Sequence, residues 1–228
     1  MLQRVFYVIV ILAASCKPEY KRCSHQTPDE RLDAYNDILN EIIVKRTYHR
    51  YLGEDEERIY DEYVHHRKDT GEIDKEVIIL HNQLYNNPSK FCAIYLDTLL
   101  RPSFNSWSHY QKDTAYFATR LKNFVQPFLN RTPGLTDSLN AVQTRYTAKD
   151  FSLCIASIKP VSDLKAKHPD CFIGKIVFSE LLFNDKKSMG LLYYEFRCGG
   201  LCGYGNLLLI EREDKSWKIK DALMTWIS

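Results

Sequence analysis

The hydrophobic period of this chain changes once, near Ala148, and no other feature constrains its folding as strongly. Before that point apolar residues recur every three or four positions, as on one face of a helix. After it they alternate, as on one face of a strand. Residues 28–130 are therefore expected to be mainly helical, and residues 131–228 to form an α+β region with an antiparallel sheet. Read together, residues 28–228 also suit one domain. Helices first and strands later make the fold class α+β.

The first helix is expected to open at Thr27, with Pro28 in its first turn and Glu30 reaching back as a capping box. Leu32, Tyr35, Leu39, Ile42 and Ile43 supply its apolar stripe to about Arg50. An acidic run at 54–57 suits the start of a second helix carrying Ile59, Tyr63 and Val64. Ile73, Val77, Leu80 and Leu84 mark a third, stopped by Asn86, Asn87 and Pro88. Residues 90–100 fit a strand and a helix equally well. Phe117, Leu121, Phe124 and Val125 define a fourth helix ending near Pro127. Leu135, Leu139, Val142 and Tyr146 define a fifth.

Strands are expected at 151–157, 172–183, 190–197, 207–211 and 217–219, with Trp226 placed to clasp the sheet. Turn residues at 184–187, 198–203 and 213–216 separate the later ones at intervals too short for crossover connections, so the pairing should be an antiparallel meander. A curved antiparallel sheet with helices on one side is similar to the nuclear-transport-factor-like and cystatin-like folds. That resemblance implies no activity, because such folds host binders and enzymes alike.

The first sixteen residues speak to location. Arg4 is a short basic start, residues 5–14 are apolar and uncharged, and Ala13, Ala14 and Ser15 precede Cys16. About 20 apolar residues are needed to cross a bilayer, and this run is about half that, which suits a signal-peptide core. Small residues followed at once by cysteine resemble a bacterial lipoprotein signal. The resemblance implies removal of residues 1–15, lipidation of Cys16, a tether over 16–27 and a membrane partner reached through the lipid. Lys17 in place of an aspartate implies sorting to the outer membrane. Ala13 and Ser15 also satisfy an ordinary secretory cleavage site, which would release a soluble product. Reserving Cys16 for lipid leaves six cysteines (Cys23, Cys92, Cys154, Cys171, Cys198 and Cys202), an even set suited to an oxidising compartment.

Charge excludes one class of partner. Loss of Arg4 with the signal leaves 30 basic residues against 29 acidic. A near-neutral chain without a sustained basic block offers no footprint for nucleic acid.

Cys198 and Cys202 are four apart across a Gly-rich reversal and are expected to form a disulfide, worth about 2 kcal/mol by chain entropy. Gly199, Gly200 and Gly203 are expected to supply positive φ in that turn. Exchangeable dithiols normally have two intervening residues and open a helix, which this pair does not. The same glycines run into a strand rather than a helix, so they do not make a phosphate cradle. Asp61 with His65, and Glu62 with His66, have helical i,i+4 spacing but no third ligand, so a solvated face is expected and no metal or cofactor is implied. Cys92 with His81 or His109 is a formal thiol–imidazole pair, with a buried or bridged Cys92 as the alternative. Trp107, His109 and Tyr110 form a candidate surface for sugar or peptide, set against their use as a loop anchor.

These readings favour a non-enzymatic binding or accessory module of the cell envelope, with an envelope protein or a glycan as partner. The competing readings are an exported hydrolase acting on glycan or peptide, and a thiol-exchange protein.

Overall fold

The computed structural model describes residues 23, 27–47, 58, 61, 75, 78–80, 82–83, 85–104, 114–131, 134–165, 172–200 and 202–228. The chain forms an α+β fold around one seven-stranded sheet. Helix α1 (Glu30–Arg46) comes first, followed by β1 (Ala93–Leu96), α2 (Thr114–Val125), α3 (Leu135–Asn140) and β2 (Ser157–Pro160). The remaining strands are β3 (Phe172–Phe178), β4 (Leu182–Phe183), β5 (Met189–Gly199), β6 (Cys202–Glu213) and β7 (Ser216–Ile227). Of the expected second and third helices, residues 58, 61, 75, 78–80, 82, 83 and 85 are helical, and the rest lie outside the described residues.

Helix α1 starts two residues later than the Thr27 cap predicts. Asp29 is its N-cap and accepts hydrogen bonds from the N–H groups of Arg31 and Leu32. Thr27 serves the approach instead: its hydroxyl oxygen accepts from Asp29 N–H at 3.2 Å, and its own N–H donates to Asp33 at 2.8 Å. A carboxylate accepts more strongly than a hydroxyl, and Asp29 is also held by the Tyr146 hydroxyl at 2.7 Å and by Arg145 at 3.1 Å. The stripe predicted for this helix is buried: Tyr35, Leu39, Ile42 and Ile43 are at most 1 % exposed.

The sheet order is β2-β1-β3-β5-β6-β7, with β4 added beside β5. From β3 onward every pairing is antiparallel, but β1 runs parallel to both β2 and β3. The ambiguous segment 90–100 thus contributes a central strand. Its four residues are all buried, as expected of a strand covered on both faces, and such burial erases the alternation that would have identified it. Because β1 lies between β2 and β3, the regions on either side of residue 130 share this sheet.

Three sequence expectations shift in register. The fifth helix stops at Asn140, because Val142 bridges to Ser179 and Gln143 N–H donates to the Phe178 carbonyl at 2.8 Å. Residues 151–156 are not a strand. Ser152 N–H donates to Asn36 of α1 at 2.9 Å and Cys154 is bonded to Cys23, so this stretch is drawn onto the helix before β2 begins. The long strand expected over 172–183 breaks at Ser179–Leu181, where the Tyr35 hydroxyl donates to the Ser179 carbonyl at 2.8 Å and accepts from Leu181 N–H at 2.9 Å.

The sheet is covered on both faces, correcting the expectation of helices on one side. Ile38, Leu39 and Ile42 of α1 pack with Ile176, Tyr194, Phe196, Leu208 and Ile210 on one face. Phe104, Phe124, Phe128 and Leu139 pack with Leu191, Tyr193, Leu207 and Leu223 on the other. Two buried faces explain the near-continuous apolar run of β5.

Candidate functional site

The most concentrated buried polar chemistry among the described residues gathers at the closed end of the β5–β6 hairpin. Glu195 stands in β5 between Tyr194 and Phe196 and is 0 % exposed. Its neighbours are apolar by sequence, so a charge here has to find partners from elsewhere in the fold. Ser103, just after the β1 exit, supplies two: its N–H donates to Glu195 Oε1 at 2.7 Å and its hydroxyl at 3.2 Å. The Tyr193 hydroxyl donates to the same oxygen at 3.4 Å. Arg197 pairs with Oε2 at 2.8 Å while keeping 44 % of its own side chain exposed.

A second tier holds the first. Trp226 of β7 donates its indole N–H to the Tyr193 hydroxyl at 2.8 Å, and the Arg197 guanidinium lies 5.8 Å from the Trp226 ring centre. The Thr225 hydroxyl lies within hydrogen-bond distance of both the Gly205 carbonyl, at 3.0 Å, and the Tyr193 hydroxyl, at 3.4 Å, and its one proton serves either. Phe104 stacks edge-on against Tyr193, with ring centres 5.3 Å apart, and its N–H donates to the Asn140 side chain at 2.7 Å. Burial pushes the Tyr193 phenol well above its ordinary range; the hydrogen bonds from Thr225 and Trp226 offset only part of this, and the Glu195 charge adds to it. Tyr193 therefore stays neutral and keeps its proton for Glu195. With both carboxylate oxygens engaged, the cluster anchors the segment that leaves β1.

The glycine motif around it has a different purpose from the one its sequence suggests. Gly134 is the one described glycine at positive φ, so Gly199, Gly200 and Gly203 do not supply left-handed geometry. Gly203 and Gly205 lie inside β6, and they leave room for an indole. A Cβ at Gly205 would fall within contact distance of Trp226 Nε1 and Tyr193 Oη, and one at Gly203 would come 3.2 Å from the Trp226 ring. Trp226 clasps the sheet across this strip of bare backbone.

Cys198 and Cys202 are disulfide-bonded, with their Cα atoms 5.1 Å apart, and close the hairpin beside the cluster. Cys23 and Cys154 form a second bridge across 131 residues. Cys92 is buried and disulfide-bonded as well, so it has no thiol to pair with a histidine, and its bonding partner lies outside the described residues. Asp61 is exposed; Glu62, His65, His66, His81 and His109 lie outside the described residues. Cys16 and the candidate surface of Trp107, His109 and Tyr110 also lie outside them. Among the described residues no three His, Cys, Asp or Glu gather for a metal ion, and no helix is long and apolar enough to cross a membrane.

Glu195 and its partners escape sequence reasoning. One signal exists: Glu195 is the single charge in the run from Leu191 to Phe196. Ser103 lies 92 residues from Glu195, and Trp226 lies 33 residues from the Tyr193 it bonds; neither separation follows a spacing rule. No protein-family model matches the chain, and the searches of curated proteins and solved structures found no match to it.

Proposed function

We propose that this chain is an exported, lipid-tethered binding or accessory module of the bacterial cell envelope, without catalytic activity of its own. The supporting observation is the state of its cysteines. All five that are described, Cys23, Cys92, Cys154, Cys198 and Cys202, are in disulfides. Such bonds form and persist in oxidising compartments and are rare in the reducing cytosol. They agree with a signal that ends at Cys16 and an anchor on that residue. The binding reading draws on the cluster at Glu195, whose hydrogen-bonding capacity is spent on stiffening the sheet and the β1 exit rather than offered to a reacting group. A glycan or an envelope protein is the proposed partner class, and the outer membrane the proposed location.

The test is expression with the native signal in a bacterial host, followed by intact mass and non-reducing peptide mapping. The expected product begins at Cys16 with a diacylglycerol adduct, and Cys16→Ser moves it from the membrane fraction to the soluble one. A mature chain without lipid, or one retaining residues 1–15, overturns the tethered reading.

A further inference from the structure

Cys92 is disulfide-bonded to a residue outside those described, and the rest of the chain narrows that partner to two. The sequence holds seven cysteines. Cys23 is taken by Cys154, and Cys198 by Cys202. A sulfur in one disulfide cannot enter a second, so only Cys16 and Cys171 remain. The sheet chooses between them. Strands β1 and β3 run parallel, with Ala93 in register with Phe172. Cys92 immediately precedes the first of these and Cys171 the second. Neighbouring strands lie about 4.8 Å apart, and a disulfide joins Cα atoms about 4.4–6.8 Å apart, so one step back along both strands keeps a bridge within reach. Facing agrees as well. Cys92 is buried with Ile94 and Leu96 in the core that α1 covers, and Ile173 belongs to the same core. Residues two apart on a strand share a face, so the position before Phe172 falls on the side of Cys92. Phe172 itself stands on the other side, its ring centre 5.8 Å from that of Tyr95.

We propose that Cys92 and Cys171 form the third disulfide, which leaves Cys16 as the one cysteine outside a bridge. As the S–S bond closes, the two thiols give up two protons and two electrons. An oxidising protein disulfide of the exported compartment accepts them by exchange and is left as a dithiol. The bond staples the central strand to β3 where both enter the sheet, beside the register shift between Ala93 and Ile94. Its larger consequence is chemical. A thioether to lipid needs a sulfur that is not in a disulfide, and a Cys16–Cys92 bridge would close the proposed anchor. With Cys171 taking Cys92, six cysteines are paired and the lipid site stays open. The lipidated chain then holds no free thiol with which to attack another protein's disulfide. The thiol-exchange reading of the sequence loses its nucleophile.

The pairing stands apart from the tether, and one experiment reads the two separately. The chain is expressed with its native signal, free thiols are blocked with N-ethylmaleimide, and the unreduced protein is digested and mapped by mass. The expected map joins the Cys92 and Cys171 peptides, with maleimide on neither. Cys16→Ser, which touches no bridge, should leave that map unchanged and the protein without a free thiol. Cys171→Ser should expose one thiol, at Cys92, in whatever fraction folds. A Cys16–Cys92 peptide pair overturns the inference, as does maleimide on Cys92 in either the natural chain or Cys16→Ser. A chain that lacks lipid but joins Cys92 to Cys171 fails the tether alone. A lipidated chain whose Cys92 is unbonded or joined elsewhere fails this inference alone.

Discussion

At the scale of single residues, the least chemical side chain in the cluster has the largest structural consequence. Gly205 is a strand residue with no Cβ to spare, since the indole of Trp226 and the hydroxyl of Tyr193 already fill that space. Gly205→Ala should displace Trp226 and break its bond to Tyr193. Overpacking of this kind costs about 1–3 kcal/mol, and the lost hydrogen bond adds about 1 kcal/mol. The expected readout is a lower urea midpoint together with red-shifted tryptophan fluorescence; an unchanged spectrum would show that the indole does not depend on the gap. Asp29 gives a second residue-level prediction. Desolvation resists its ionisation, but the Tyr146 hydroxyl, the N–H groups of Arg31 and Leu32, and the Arg145 charge outweigh that and hold the carboxyl below its ordinary value of 3.8. A carboxyl depressed in the folded state contributes stability that is fully present above its unfolded value and is lost as pH falls through the folded one. The difference in thermal midpoint between the natural chain and Asp29→Asn should therefore be constant above about pH 5 and shrink below about pH 4.

At the scale of elements, the sheet edges are managed by opposite devices. The β2 edge is four residues long and ends in Pro160, which has no N–H to offer a newcomer. The β7 edge is twelve residues long, interrupted by register shifts near Leu209 and Gly205, and capped at Trp217 and Ile219 by carboxylates one helical turn apart on α1. Removing both carboxylates (Asp37→Ala with Glu41→Ala) should free those N–H groups and promote edge-to-edge association. Sedimentation velocity should then show concentration-dependent dimers that the parent lacks. The hairpin of β5 and β6 is legible in the sequence because glycines and polar turns bracket two long apolar runs. Strand β1 is not, because a four-residue strand buried on both faces has no polar phase to betray its period. Helix α1 is legible in its stripe but not in its cap, since the choice between Thr27 and Asp29 is made by Tyr146 and Arg145, more than a hundred residues away.

For the whole molecule, the two described bridges should weigh very differently. The 131-residue separation between Cys23 and Cys154 gives about 5 kcal/mol by chain entropy, and the four-residue separation between Cys198 and Cys202 about 2 kcal/mol. Paired serine substitutions should reproduce that order in melting temperature, with a fall of about 10–20 °C for the first pair and less than half of that for the second. Equal losses would show that strain or residual structure, not loop closure, sets their value. Only the short bridge is legible from sequence, because its cysteines face each other across one turn; the long one depends on how residues 151–156 cross the helix. The contacts of Tyr35 also set an order of events in time. Its hydroxyl bonds to residues 179 and 181, and the helix that carries it packs on strands β3 to β6. Synthesis at about 5–20 residues per second puts roughly 7–30 s between the appearance of that helix and of its partners. Through that interval Ile38, Leu39, Ile42 and Ile43 lack Ile176, Tyr194, Phe196, Leu208 and Ile210, the sheet residues that complete their burial. The nascent protein is thus most vulnerable at its oldest end, and whatever escorts it must shelter residues 30–46 before anything else.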